Sequence, residues 1–300
     1  MTTSVLPTEA DVAAAASRIL PHARRTPLLD VTVAGRRVIF KLEHLQRTGS
    51  FKLRGALNAL LAGPAPELVV TASGGNHGLA VACAARLLGL PAVVYVPETV
   101  PAGKARRIEA EGAKLVRHGA VYSEAAAAAQ AATGPGARYL PAYEDAAVIA
   151  GQGTVAAEVV ADRPDVDTFV VAVGGGGLGA GTVVGGAGRT VVAVEPEHCC
   201  CLHEAITAGE PVDVVVDSVA ASALGATRVG TLPFELLRES PSVLVSDAQL
   251  LAARDQLWEE FRLAVEPAAA APFAALLAGQ VPGDLPCVIV CGANTDWTPA

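Results

Sequence analysis

The sequence predicts an α/β fold whose strands lie parallel in a doubly wound sheet. Short apolar strand patterns alternate with helix-period stretches from residue 38 to residue 290. Such alternation requires crossover connections, and these make the strands parallel. Two glycine-rich turns, Ser73-Gly74-Gly75-Asn76-His77-Gly78 and Gly174-Gly175-Gly176-Gly177, directly follow two of those strands. They fall at the carboxyl edge, where open α/β sheets bind ligands. A composition of 52% hydrophobic and 17% charged residues over 300 positions can fill one large domain or two modest ones.

In chain order, residues 8–20 read as a first helix, with Thr8 and Asp11 forming a capping box in which Asp replaces the usual Glu. Pro21 and the run Arg25-Thr26-Pro27-Leu28 end it in a loop. A strand over 38–43 precedes a second loop, and a helix begins at Lys52 with Ser50 as its expected N-cap. Strand 67–71 runs into the Ser73–Gly78 turn and a helix over 79–88. Then come strand 92–96, helix 102–111, strand 114–117, helix 123–132 and a strand edge over 139–143. Ile149-Ala150-Gly151-Gln152-Gly153-Thr154 leads into a helix over 155–161. Strand 168–173 delivers the four glycines, and a Gly/Ala-rich helix opens near Leu178. A strand over 190–195 closes on Glu195, and helices over 202–208, 247–261 and 267–277 follow. The last strand, 286–290, points at Cys291-Gly292-Ala293-Asn294. No internal repeat is evident.

Formal net charge is −8, the pI is about 5.3, and no basic run occurs, which argues against nucleic acid or an anionic membrane as partner. Glu9 and Asp11 stand where a secretory signal would be basic and then apolar. No apolar run reaches spanning length without charge, Gly or Pro. The cysteines are Cys83, Cys199, Cys200, Cys201, Cys287 and Cys291. Adjacent cysteines in a chain of this size do not make a disulfide framework, and a reducing cytoplasm is the expected compartment.

Four local features carry chemistry. Lys52 at a helix start is surrounded by unpaired N–H groups and the positive dipole end, which disfavour an ammonium. A neutral amine attacks carbonyls, although a single lysine is ordinarily just a solvated surface group. Four glycines between a strand and a helix allow backbone N–H groups to close around a phosphate. The same run holds Gly174-x-Gly176-x-x-Gly179, with Glu195 about twenty residues on, a dinucleotide fingerprint that leaves open an NAD-dependent dehydrogenase. That reading gives no work to Lys52 or to the Asn76 loop. The small residues of that loop expose N–H groups suited to a carboxylate, and Asn76 adds a donor and an acceptor. His77 at a helix start is read as a packing or capping residue. Cys291 is either a donor to a buried ring nitrogen or a small buried hydrophobe. Lysine nucleophile, phosphate cradle, carboxylate loop and ring-nitrogen partner together are what pyridoxal phosphate chemistry requires.

At these residues the chain resembles the fold-type II pyridoxal phosphate enzymes, and specifically the serine/threonine dehydratase family. LEHLQRTGSFKLRGA, SGGNHG, IAGQGT, VAVGGGGL and CGANTD occur in the family's order, from about Arg25 to Asp296. The resemblance implies two doubly wound, mostly parallel sheet domains of the tryptophan synthase β type. Residues 1–66 and 145–300 would form the large domain and 67–144 a small domain inserted in it. Pyridoxal 5′-phosphate would lie in the cleft between them, with closure over substrate.

By the same resemblance, Lys52 is the Schiff-base lysine and Phe51 lies beside the cofactor ring. Asn76 bonds the ring hydroxyl, Gly174, Gly175, Gly176 and Gly177 cradle the phosphate, and Cys291 faces the pyridine nitrogen. Ser73, Gly75 and Asn76 hold the substrate carboxylate. Glu266 matches a family position near the site, without an assigned role. The implied reaction is β-elimination of water and then ammonia from L-serine or L-threonine to give a 2-oxo acid. Other β-eliminations or replacements, a hydroxy-aspartate dehydratase and a non-catalytic pyridoxal phosphate-binding protein are the further readings. Racemases of this type carry a second serine at the position of Gly74, and Gln152-Gly153-Thr154 resembles dehydratases rather than cysteine synthases. No regulatory domain is expected after Asn294. Many relatives bind a divalent cation through an acidic residue matching Glu195 and another six residues later, where this chain has Cys201. Hard cations prefer oxygen ligands, so no metal is expected and Glu195 is a remnant. The run His198-Cys199-Cys200-Cys201-Leu202-His203 is left without a role. A homodimer acting on a small amino acid completes the expectation.

Overall fold

The computed structural model describes residues 5–298. Its strands, in chain order, are β1 (Leu28–Val33), β2 (Arg36–Lys41), β3 (Leu68–Ala72), β4 (Ala92–Val96) and β5 (Lys114–Arg117). They continue with β6 (Ala137–Tyr139), β7 (Thr168–Ala172), β8 (Thr190–Pro196), β9 (Ser242–Val245) and β10 (Pro286–Ile289). The helices are α1 (Glu9–Ile19), α2 (Lys52–Leu61), α3 (Asn76–Leu87), α4 (Ala102–Ala110), α5 (Tyr122–Ala131) and α6 (Ala146–Asp162). After them come α7 (Gly177–Gly185), α8 (Cys201–Ala208), α9 (Ala221–Leu224), α10 (Thr231–Leu237), α11 (Asp247–Phe261) and α12 (Pro267–Leu277).

Two mainly parallel sheets result, parallel as the alternation predicts and two in number as the resemblance implies. One has the order β1-β2-β10-β7-β8-β9, antiparallel only at its β1–β2 hairpin. The other, β5-β4-β3-β6, is parallel throughout. Strands β7 and β10 are buried at every residue, as central parallel strands covered on both faces must be. In the larger core Phe40, Phe261 and Phe273 meet edge to face, with centroids 5.1–6.2 Å apart. Among the described residues no helix is long and apolar enough to cross a membrane. All six cysteines are buried and free.

The capping box at α1 forms as its sequence predicts. Thr8 N–H donates to Asp11 Oδ2 at 2.9 Å, and Asp11 N–H donates to Thr8 Oγ1 at 3.3 Å. Other elements differ from expectation. The Ile149–Thr154 motif does not precede its helix; it lies inside the 17-residue helix α6. Its glycines serve helix contact. A Cβ on Gly151 would stand 2.6 Å from Arg54 O on α2, and one on Gly153 2.8 Å from Gly181 O on α7. The strand edge placed over 139–143 is β6, which ends at Tyr139. Helix α3 begins at Asn76, three residues earlier than expected. Strands β1 and β9 and the short helices α9 and α10 lie outside the elements predicted above.

Candidate active site

Three loops at the carboxyl edges of β3, β7 and β10 converge on the start of α2. The convergence is set by backbone bonds. Phe51 N–H donates to Cys291 O at 3.1 Å, and Ser50 forms a β-bridge with Gly292. Lys52 therefore begins its helix beside the end of β10. Ser50 is not the N-cap. Phe51 occupies that place with helical backbone (φ −57°, ψ −22°), no side chain caps the end, and Ser50 is fully buried. Lys52 Nζ donates to Ala142 O at 3.1 Å and lies 5.0 Å from the Phe51 ring centroid. Burial pulls the Lys52 pKa down to about 8, with Cys291 and Glu266 opposing. The direction matches expectation, but the cause is desolvation. Near neutral pH a usable fraction of this amine is uncharged, hence nucleophilic and basic.

The loop after β7 lies against the side chain of Tyr143, so that a Cβ on Gly175 would collide with the Tyr143 ring. Gly176 has φ +93°, a left-handed conformation that glycine adopts without steric cost. The first bond inside α7 runs from Ala180 N–H to Gly176 O at 2.8 Å. The N–H groups of Gly177, Leu178 and Gly179 therefore face out of the helix end as backbone donors without an intrahelical acceptor. Phe51, Lys52, Gly174, Gly176, Glu266 and Cys291 line one recess here. It adjoins a cleft of about 360 Å³ lined by Lys52, Ser73, Asn76, Thr99, Lys104 and Ser222.

At the end of β3, Gly75 N–H donates to Ser73 Oγ at 3.2 Å. The Asn76 carboxamide is held on both sides, by Asn294 Nδ2 at 2.7 Å and Glu266 Oε1 at 2.8 Å. His77 is buried, its Nε2 lies 3.0 Å from Leu140 O, and burial pushes its pKa down to about 3. It is a neutral ring donating to a carbonyl, unsuited to act as a base. Burial, reinforced by Glu266, pushes the Cys291 thiol far above its usual range. It is a neutral S–H donor.

Glu195 is fully buried. Its carboxyl oxygens accept the N–H groups of Leu202 (2.9 Å) and His203 (2.8 Å), so that it caps α8. Burial raises its pKa to about 8 against those bonds. A group so enclosed does not reach a ribose, which removes the dehydrogenase reading of the glycine fingerprint. Nor do the residues fit a hard cation. The Cys201 thiol donates to Gly174 O at 3.2 Å, tying α8 to the glycine loop, and the Cys200 thiol donates to Glu197 O at 3.2 Å. Among the described residues no three His, Cys, Asp or Glu converge as metal ligands. Sequence reasoning misses Tyr143, Val100 and the loop around Ser222, which no local motif marks.

Parallel strands in two sheets, with a desolvated lysine beside a glycine-lined recess, define a fold-type II cofactor enzyme. A family model described as pyridoxal-phosphate dependent enzyme matches residues 19–292. The L-threonine ammonia-lyase of Geobacter sulfurreducens is 37% identical over 297 residues, covering 93% of this chain and 73% of that protein. The serine racemase of Rattus norvegicus is 34% identical over 325 residues, covering 96% of this chain and 93% of the racemase. The crystal structure of a threonine deaminase from T.th. matches with TM-score 0.91 at 34% identity, covering 98% of this chain and all of that one. The chain belongs to the pyridoxal-phosphate dependent enzyme family, and within it to the fold-type II group of serine/threonine dehydratases.

Proposed function

We propose that this chain removes water and then ammonia from L-serine or L-threonine, yielding a 2-oxo acid. The observation that carries the reading is the site's one-sidedness at position 74. Lys52 supplies an amine whose basicity suits proton abstraction. Where racemases of this type carry a second serine, the Asn76 loop has Gly74, and Val100 Cγ2 lies 2.6 Å from where a Cβ on that residue would stand. A methyl group fills the place of a second proton donor, which supports elimination over racemisation. The likeness to L-threonine ammonia-lyase points the same way, whereas the likeness to serine racemase makes racemisation the second reading.

The recess suits pyridoxal phosphate, with N–H donors of the glycine loop and α7 at one wall, a neutral thiol at another, and the Lys52 amine between. Bound there, the cofactor supplies an electron sink for negative charge at the substrate Cα. Gly174–Gly177 would hold its phosphate, Phe51 would flank its ring, and Asn76 and Cys291 would donate to its ring oxygen and nitrogen. Ser73 and Gly75 would hold the substrate carboxylate, and Lys52 Nζ would bind the cofactor and take the Cα proton. Incubation with L-serine and with L-threonine is expected to release ammonia and 2-oxo acid in equal amounts, while unreacted substrate stays L by chiral chromatography. D-serine accumulating as fast as ammonia would refute the elimination reading.

Cys291 offers a sharper test. A hydroxyl also donates one hydrogen bond, so Cys291→Ser should retain most activity. Cys291→Ala would leave a buried nitrogen unpartnered, at about 1–3 kcal/mol, or about a five- to hundredfold loss of turnover. Equal turnover of the Ala variant and wild type at matched cofactor occupancy would mean that Cys291 only packs.

A further inference from the structure

Two side chains at the site have no work in this reaction. Glu266 ends the segment before α12, is 3% exposed, and does not cap its own helix. Asn294 lies in the loop after β10. Both hydrogen-bond to Asn76. Asn294 Nδ2 donates to Thr48 O and to Asn76 Oδ1, each at 2.7 Å, and Asn76 Nδ2 donates to Glu266 Oε1 at 2.8 Å.

The polarity of this relay has one solution. A backbone carbonyl only accepts, so Thr48 O requires the nitrogen of the Asn294 amide. That nitrogen in turn requires the oxygen of Asn76, which leaves the Asn76 nitrogen towards Glu266. Flipping Asn76 would set donor against donor at Asn294 and acceptor against carboxylate at Glu266. Of the two Asn76 N–H groups, Glu266 takes one, and the other remains for the cleft that Asn76 lines. Two glycines make room for the arrangement. A Cβ on Gly292 would collide with Glu266 Oε1, and one on Gly49 would stand 2.8 Å from Asn294 Oδ1. The relay also bridges the two sheets, because Asn76 follows β3 of the smaller and Asn294 follows β10 of the larger.

We infer that Glu266 and Asn294 are positioning residues that lock the Asn76 carboxamide so that it presents one N–H, and never its oxygen, to the ring oxygen of bound cofactor. This rests on the proposed role of Asn76. Burial pushes the Glu266 pKa up to about 7, with Asn76, Lys104 and Lys52 opposing, and in either protonation state an oxygen remains to accept from Asn76.

The test measures cofactor Kd and the pH midpoint of the bound cofactor's visible absorption, with pyridoxal 5′-phosphate as the probe. Asn294→Asp keeps shape but removes both donors, and Glu266→Ala removes the acceptor. Each is expected to weaken cofactor binding about tenfold and to move the midpoint in the same direction as Asn76→Ala. Glu266→Gln, which keeps an acceptor oxygen, is expected to restore the midpoint. The double variant Asn76→Ala/Asn294→Asp should show no more than the single Asn76→Ala, because both act through one carboxamide. Additive effects, or an unmoved midpoint in Asn294→Asp while Asn76→Ala moves it, would overturn the positioning role alone. An unmoved midpoint and Kd in Asn76→Ala would overturn the proposed role of Asn76 itself, and this inference with it.

Discussion

Lys52→Ala is expected to lose turnover and the visible band of bound cofactor together, while the protein remains folded. The amine is placed twice over, by the helix that starts at Lys52 and by the Phe51–Cys291 backbone bond one residue earlier. On the roles proposed for Lys52, deleting it removes both the covalent anchor and the base for the Cα proton. Loss of a positioned base alone costs about 10²–10⁴-fold, and loss of the anchor adds to that. The folded chain should not suffer, because burial already disfavours this ammonium and alanine removes the desolvated charge. Lys104 is the other lysine lining the cleft, and its position on α4 makes it the natural control. Borohydride reduction of the loaded wild type, then peptide mapping, should place the cofactor on Lys52. Label on Lys104, or a Lys52→Ala variant that keeps both band and turnover, would overturn the assignment.

Which parts of this site are legible in the sequence follows from the range of the forces involved. Strands β7 and β8 are read easily because centrally buried parallel strands are continuous apolar runs. The loops after β3 and β7 stand out because each holds a cluster of glycines directly after a buried strand. Helix α6 is misread for the same reason. Gly151 and Gly153 look like breakers, yet they let α6 touch α2 and α7, and no local pattern separates the two uses. The hairpin strand β1 is legible after all, because Leu29-Asp30-Val31-Thr32-Val33 alternates apolar and polar residues at the period of a half-buried strand. Asn76 and Glu266 are 190 residues apart in the chain, and Val100 meets position 74 only after α3 and β4 have folded. Such pairings have no sequence period. The helix end alone predicts a lowered Lys52 pKa, but the larger cause is the desolvation that all three loops create together.

Arg54→Met should bring the largest loss of stability, because Arg54 holds a buried ionic network two residues from Lys52. Its side chain is 1% exposed. Nε and Nη2 donate to the carboxylate of Glu43 at 2.6 and 3.0 Å, and Nη1 donates to Glu158 Oε1 at 2.7 Å. Lys41 Nζ donates to Glu158 Oε2 at 2.5 Å and to Thr26 O at 2.8 Å. Methionine fills much of the volume but leaves Glu43 with Thr26 and Gln46 as its side-chain partners among the described residues. Breaking a buried pair on one side costs about 3–5 kcal/mol, a large share of the roughly 5–15 kcal/mol that holds a protein folded. Replacing Glu43 by Leu as well removes the stranded charge, so the double variant should be less destabilised than Arg54→Met alone.

The pH dependence of the Arg54→Met effect is fixed in sign. Burial raises the Glu158 pKa, but Arg54 and Lys41 together outweigh it and hold the carboxyl below its usual range. A carboxyl so depressed contributes stability that is present above its unfolded pKa and is lost as pH falls through its folded value. The gap between wild type and Arg54→Met should therefore be widest near neutrality and narrow in acid. Denaturant midpoints measured at neutral pH and again below the carboxylate range would decide it. A gap unchanged on acidification, or a variant as stable as wild type at neutral pH, would show that the start of α2 is held by packing alone and that the ion network merely accompanies it.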